Sequence, residues 1–142
     1  MANNITVLWV DDEIEMFDPH VLFLKDKGFC VETTTNGYDA LSLLQEKTFG
    51  IVFLDENMPG LGGLDTLVKV KEILPDMPIV MVTKNEEEHI MEQALGSKIA
   101  DYLIKPVKPS QLLLCIKKHT QSNRLIQETT QSNFLNQFQS IT

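Results

Sequence analysis

Apolar positions along the chain follow two alternating rhythms. Ile5 to Val10, Cys30 to Thr34, Ile51 to Leu54, Pro78 to Val82 and Ala100 to Ile104 are short runs rich in β-branched or apolar residues, the composition of buried strands. One helix-length segment separates each run from the next. Ala40-Leu41-Leu43-Leu44, Leu64-Leu67-Val68-Leu74 and Ile90-Met91-Ala94-Leu95 give stripes at helical spacing, and Leu112, Leu113 and Ile116 form a further stripe behind Pro109, placed at a helix N1 position. Five strands joined by helices predict an α/β fold with a parallel sheet covered on both faces, because right-handed crossovers are the common way to connect such strands.

Helix starts are marked as well. Asn36 with Asp39, and Asn85 with Glu88, have the spacing of an N-cap and its reciprocal acid. The first helix has two readings: it starts at Pro19 with Asp18 as cap, or it starts near Ile14 and bends at the proline. From Gln121 to Thr142 the composition turns to Gln, Ser, Asn and Thr, yet Leu125, Ile126, Phe134, Leu135, Phe138 and Ile141 recur at spacings compatible with a helix. That stripe has nothing left to bury against in the five-strand unit. The expected organisation is a domain over residues 1–122 and, over 123–142, a helical linker or the start of a further domain, with a frayed tail as the plainer reading.

Composition narrows the function. The chain has 142 residues, 43% hydrophobic and 23% charged, enough for one well-buried core. Its 12 basic and 20 acidic residues give a net charge of −8, which opposes direct nucleic acid binding. The apolar run Ile5 to Val10 is too short for a membrane span or a signal h-region and ends in acids, so a cytoplasmic protein without membrane insertion is expected. Cys30 and Cys115 lie in apolar contexts without CxxC spacing and read as reduced, buried small hydrophobes.

The chemistry gathers where strands end. In a parallel sheet all carboxyl ends share one edge, the edge where open α/β folds place ligands. Four of the runs end here in Asp11-Asp12, Asp55, Thr83 and Lys105. Singly, the acids could precede a helix start, Thr83 could be a loop residue and Lys105 a snorkelling surface amine. Together they complement one another. Carboxylates held close repel unless a cation joins them, and oxygen-only ligands favour Mg2+ or Mn2+ over zinc. Beside such an ion a carboxylate can attack phosphorus while an ammonium and a hydroxyl neutralise the transferring oxygens, which suits phosphoryl transfer to an aspartate.

The ordered set Val10-Asp11-Asp12-Glu13, Leu54-Asp55-Glu56-Asn57-Met58-Pro59-Gly60, Val82-Thr83 and Asp101-Tyr102-Leu103-Ile104-Lys105-Pro106 resembles the receiver domain of two-component response regulators, from about Ile5 to His119. The resemblance implies a flavodoxin-like (βα)5 fold with strand order 2-1-3-4-5 and a cis Lys105–Pro106 bond. It implies Asp55 as phosphoacceptor and Mg2+ held by Asp12, Asp55 and the backbone carbonyl of Asn57, with Asp11 acting through water. Thr83 and Lys105 would bind the phosphoryl oxygens, and Thr83 and Tyr102 would form the switch. A sensor histidine kinase would donate the group. The face made by the fourth helix, fifth strand and fifth helix, with Met91 and Leu95, would control a homodimer or a downstream effector. The chain is then a phosphoacceptor that assists its own phosphorylation and dephosphorylation, not a turnover enzyme.

Two positions depart from the common receiver pattern: Lys84 where a small residue is usual, able to narrow the site or pair with an acid, and Gly62 in place of an acid, expected to loosen Leu61-Gly62-Gly63. Residues 53–60, 83–92 and 96–102 are more specifically similar to the receiver of PorX-type regulators of type IX protein secretion, in which a helical segment and an effector domain follow. Two other classes stay in view. A small aspartyl-phosphate phosphatase of the haloacid dehalogenase kind would carry DxD after strand one, where this chain has Asp11-Asp12-Glu13; a pseudo-receiver would dock partners without phosphorylation.

Overall fold

The computed structural model describes residues 5–84, 87–96 and 98–120. Five strands, β1 (Thr6–Val10), β2 (Cys30–Thr34), β3 (Ile51–Leu54), β4 (Ile79–Thr83) and β5 (Asp101–Ile104), form one parallel sheet in the order β2-β1-β3-β4-β5. This is the doubly wound, flavodoxin-like topology. The helices between them are α1 (Asp18–Asp26), α2 (Gly37–Glu46), α3 (Gly63–Ile73) and α4 (Glu88–Gly96), and a fifth, α5, covers residues 109–120.

Alternation along each strand sorts its side chains between two cores. Val7 and Trp9 of β1, Ile51 and Phe53 of β3, and Val80 and Val82 of β4 face α1 and α5, meeting Leu24, Leu112, Cys115 and Ile116. Leu8, Val10, Val52, Leu54, Ile79 and Met81 face the other way, toward Ala40 and Leu44 of α2, Leu67 and Val70 of α3, and Ala94 of α4. The three central strands are therefore apolar on both faces, and their carboxyl ends are held in fixed register. The outer strands are less covered, with β2 alternating and β5 half-buried throughout.

Edge position decides the burial of Cys30. Cys30, expected to be buried, is exposed because it opens the edge strand β2 with its side chain on the open side; Cys115 is buried as expected. The α3 stripe is also shifted: Val68 is exposed and Val70 takes its place in the core. At the first helix both readings contribute. A 3-10 turn spans Ile14–Phe17, then α1 begins at Asp18 with Pro19 in its first turn, where a missing N–H costs nothing. Asp18 is thus the first helical residue, not the cap.

The Asn36 cap is present: its side-chain oxygen accepts the Asp39 N–H at 2.9 Å, and its amide donates to Asp39 Oδ2 at 3.0 Å. The acid answers the cap's side chain here, a variation on the usual box. At α5, Gln111 Oε1 accepts the Lys108 N–H at 2.7 Å just ahead of Pro109. The expected Asn85 cap, the Met91 and Leu95 side chains and the stripe beyond residue 120 lie outside the described residues. No helix among the described residues is long and apolar enough to cross a membrane.

Candidate functional site

Sheet register delivers the predicted residues to one edge. The Asp11 N–H donates to Thr34 O at 3.1 Å, the Asp55 N–H to Val10 O at 2.9 Å and the Lys105 N–H to Thr83 O at 2.9 Å, so each residue extends the ladder one step past its strand. Their side chains consequently emerge together. A pocket of about 660 Å3 opens there, lined by Asp12, Glu13, Asp55, Glu56, Asn57, Thr83, Lys84, Glu87 and Lys105.

At its floor, Lys105 Nζ lies 2.7 Å from Asp11 Oδ2 and 3.4 Å from Asp55 Oδ1. Asp11 is fully buried and both of its oxygens are engaged, since Oδ1 accepts the Glu13 N–H at 2.8 Å. Asp12 is exposed and Asp55 nearly buried. One carboxylate oxygen from each of Asp11, Asp12 and Asp55 falls within a cluster no wider than 4.8 Å. An all-oxygen donor set of this charge fits a hard divalent cation such as Mg2+. Asp12 and Asp55 are the members with oxygens to spare.

The electrostatics follow from crowding. Burial first, then the Asp11 charge, pushes the Asp55 carboxyl up to about 6 against the opposing pull of Lys105. Burial works against the Lys105 ammonium, but the Asp11 hydrogen bond and the charges of Asp55 and Asp11 outweigh it and raise its pKa. The site thus holds a cation firmly and one carboxylate at a strained charge.

Backbone packing fixes the loop that carries Asp55. The Gly63 N–H donates to Glu56 O at 2.9 Å, and a Cβ at Gly63 would overlap the Asp55 carbonyl oxygen and Glu56 Cα. Only glycine lets α3 start so close behind the strand end. Gly62 caps α3 with extended backbone, while Leu61 beside it is buried.

The remaining expected residues lie as follows. Thr83 is fully buried at the end of β4 and contributes to the pocket lining. Asn57 is an exposed residue of the loop after β3. The Lys105–Pro106 bond is cis. Tyr102 sits on β5, packed against the α2–α3–α4 core and outside the pocket lining. Burial and then the Glu56 charge raise its hydroxyl pKa, which ties Tyr102 to the residue next to Asp55. Lys84 pairs loosely with Glu13 at 3.9 Å from an exposed position in the pocket lining.

Phe17 is a member that pattern reading missed. Its ring lies 5.1 Å from Lys105 Nζ and its centroid 4.9 Å from that of Trp9, so an aromatic floor supports the ammonium. The available signal was its place on the inner face of the turn after Asp11-Asp12, six residues on.

In chemical terms the edge presents three carboxylates, a lysine ammonium and a threonine together, a set suited to phosphoryl transfer. Residues 7–117 match the response regulator receiver domain family. The response regulator SaeR of Staphylococcus epidermidis is 33% identical over 135 residues, covering 95% of this chain and 56% of that protein. The chain thus spans about half the length of that relative. Among solved structures, the Vibrio cholerae chemotaxis protein CheY4 aligns with a TM-score of 0.75 at 28% identity, covering 80% of this chain and 97% of that one. A CheY-like receiver domain from Methanospirillum hungatei aligns at 0.81 and 25% identity, covering 86% and 98%. With the topology, the acidic edge and these matches in agreement, the chain belongs to the response regulator receiver domain family.

Proposed function

We propose that Asp55 is the phosphoacceptor of a two-component phosphorelay, taking a phosphoryl group from the phosphohistidine of a sensor histidine kinase or from a small acyl phosphate. The observation that carries this reading is the Lys105 ammonium held between Asp11 and Asp55 at the floor of the pocket. A carboxylate oxygen of Asp55 attacks phosphorus as the bond to the donor breaks. Above about pH 6 the attacking group is the ionised carboxylate. Lys105, already within reach of Asp55, neutralises a phosphoryl oxygen, and the Thr83 hydroxyl donates to another. Asp12, Asp55 and the Asn57 carbonyl would hold Mg2+, for which Mn2+ can substitute, with Asp11 acting through water. When bound, the ion supplies positive charge opposite the phosphoryl oxygens.

Phosphorylation draws Thr83 toward Asp55, and Tyr102 follows into the space left behind it. The face of α4, β5 and α5 then controls a homodimer or a downstream effector. Residues 1–122 form the receiver and 123–142 the connector to that effector. The similarity of residues 53–60, 83–92 and 96–102 to PorX-type receivers supports a cytoplasmic regulator of type IX protein secretion. The length of the parent gene tests that last assignment.

The central test is acetyl phosphate with Mg2+, followed by intact-protein mass spectrometry. One acid-stable, hydroxylamine-labile phosphoryl group per chain is expected, and none on Asp55→Asn. An Asp55→Asn protein that still formed the same aspartyl phosphate would refute the assignment.

A further inference from the structure

At the opposite edge of the sheet a second group of side chains converges. Asp101 opens β5, and α5 runs back antiparallel to that strand, so its later half lies over the strand's beginning. Cys115 and His119, four apart on one face of α5, both meet Asp101. Cys115 Sγ is 3.6 Å and His119 Nε2 3.3 Å from the same oxygen, Asp101 Oδ2. The three donor atoms lie within 4.8 Å of one another. The other oxygen, Oδ1, accepts the Tyr102 N–H at 2.9 Å, which holds the carboxylate plane in place.

These separations have a second meaning. Zinc bonds of about 2.0 Å to oxygen and nitrogen and about 2.3 Å to sulfur, set at tetrahedral angles, require an O–N edge of about 3.3 Å and an O–S edge of about 3.5 Å. The observed edges match both. The donor set is one thiol, one imidazole and one carboxylate, a mixture that favours zinc-class ions over Mg2+. Burial is graded along it: Cys115 belongs to the core, whereas the side chains of His119 and Asp101 are 15% and 32% exposed. An ion therefore has an entry path from solvent past His119 and Asp101. The hydrogen bond that fixes Asp101 Oδ1 is the outer support that metal ligands ordinarily have.

We propose that Asp101, Cys115 and His119 form a three-residue site for a zinc-class transition metal ion, with water as fourth ligand, clamping α5 to the start of β5. Binding displaces the Cys115 thiol proton to solvent and leaves the imidazole proton on Nδ1, so that Nε2 faces the ion. The site is separate from the acidic edge and does not depend on phosphorylation at Asp55.

The test uses the reduced chain with Co2+ and Zn2+ alone as probes. Co2+ is expected to give a thiolate charge-transfer band in the near ultraviolet and tetrahedral visible bands at one ion per chain, displaced by Zn2+ and unaffected by excess Mg2+. Cys115→Ser abolishes the charge-transfer band, and Cys30→Ser keeps it. Because Cys115 is in the core, His119→Gln, at a partly exposed position, provides an independent arm: Zn2+ affinity measured against a chromophoric chelator falls by at least about 100-fold. Zn2+ also raises the melting temperature of the parent and not that of His119→Gln. A parent protein with no charge-transfer band, a band that survives Cys115→Ser, or a His119→Gln protein with undiminished Zn2+ affinity would each overturn the site.

Discussion

Two aspartates at opposite edges of the sheet, Asp55 just past the end of β3 and Asp101 at the start of β5, stand in opposite electrical circumstances. At the carboxyl end, Lys105 reaches Asp55, whose proton affinity is raised: burial and the neighbouring Asp11 charge outweigh the ammonium. At the amino end, burial also acts against the Asp101 carboxylate, yet the Tyr102 N–H, His119 and Cys115 outweigh it and lower its pKa. Burial has the same sign at both. What differs is the company, a like charge at one end and a set of hydrogen-bond donors at the other. The carboxyl edge concentrates like charges, whereas at the amino edge donors from three residues gather on one carboxylate.

The largest effect on this contrast is expected at Gly63. Gly63→Ala forces a Cβ into the Asp55 and Glu56 backbone, destabilising the fold by about 1–3 kcal/mol in urea unfolding and slowing phosphorylation with it. Stability unchanged from the parent would mean the α3 start is freer than its packing indicates.

Next in size, the two aspartates separate by pH. Because the folded pKa of Asp55 is raised, the fold binds more protons than the unfolded chain between the ordinary carboxylate range and about 6, so this group's contribution to stability falls as pH rises through that window. Without divalent cations, Asp55→Asn therefore gains in melting temperature over the parent as pH rises from about 4 to 7, and Mg2+ narrows the gain. Asp101 has the opposite sign: its folded pKa is lowered, and its contribution is present above the ordinary carboxylate range and lost as pH falls through the folded value. The deficit of Asp101→Asn therefore shrinks in acid. Thermal melts that gave both variants the same pH trend would remove the contrast. A smaller effect, about 1 kcal/mol, is expected from Asn36→Ala, which removes the α2 cap at the carboxyl edge and leaves the amino edge untouched; chemical denaturation measures it.

Much of the carboxyl edge was legible because it is built from strand ends. Ile51–Leu54 is a strand over the span its apolar run predicts, and once the sheet is parallel Asp11, Asp55, Thr83 and Lys105 must share an edge. The Asn36 cap was equally legible, being local. Phase and edge position were less so. Val70 rather than Val68 enters the core because the rotation of α3 is set by Gly63 against the Asp55 loop, and Cys30 is exposed because β2 is an outer strand. The Asp101–Cys115–His119 group was not legible at all. Its members come from a strand start and a later helix, and only antiparallel packing of α5 on β5 brings them together.

The buried indole of Trp9 turns this architecture into an optical instrument. It is the sole tryptophan of the chain, fully enclosed, and its Nε1 has no hydrogen-bond acceptor among the described residues, so a blue-shifted emission is expected of it. Its ring touches Phe17, and Phe17 carries the Lys105 ammonium. Any ligand that draws that ammonium away from the aromatic floor changes the field across a single chromophore, and the native chain reports on its own acidic edge without a dye.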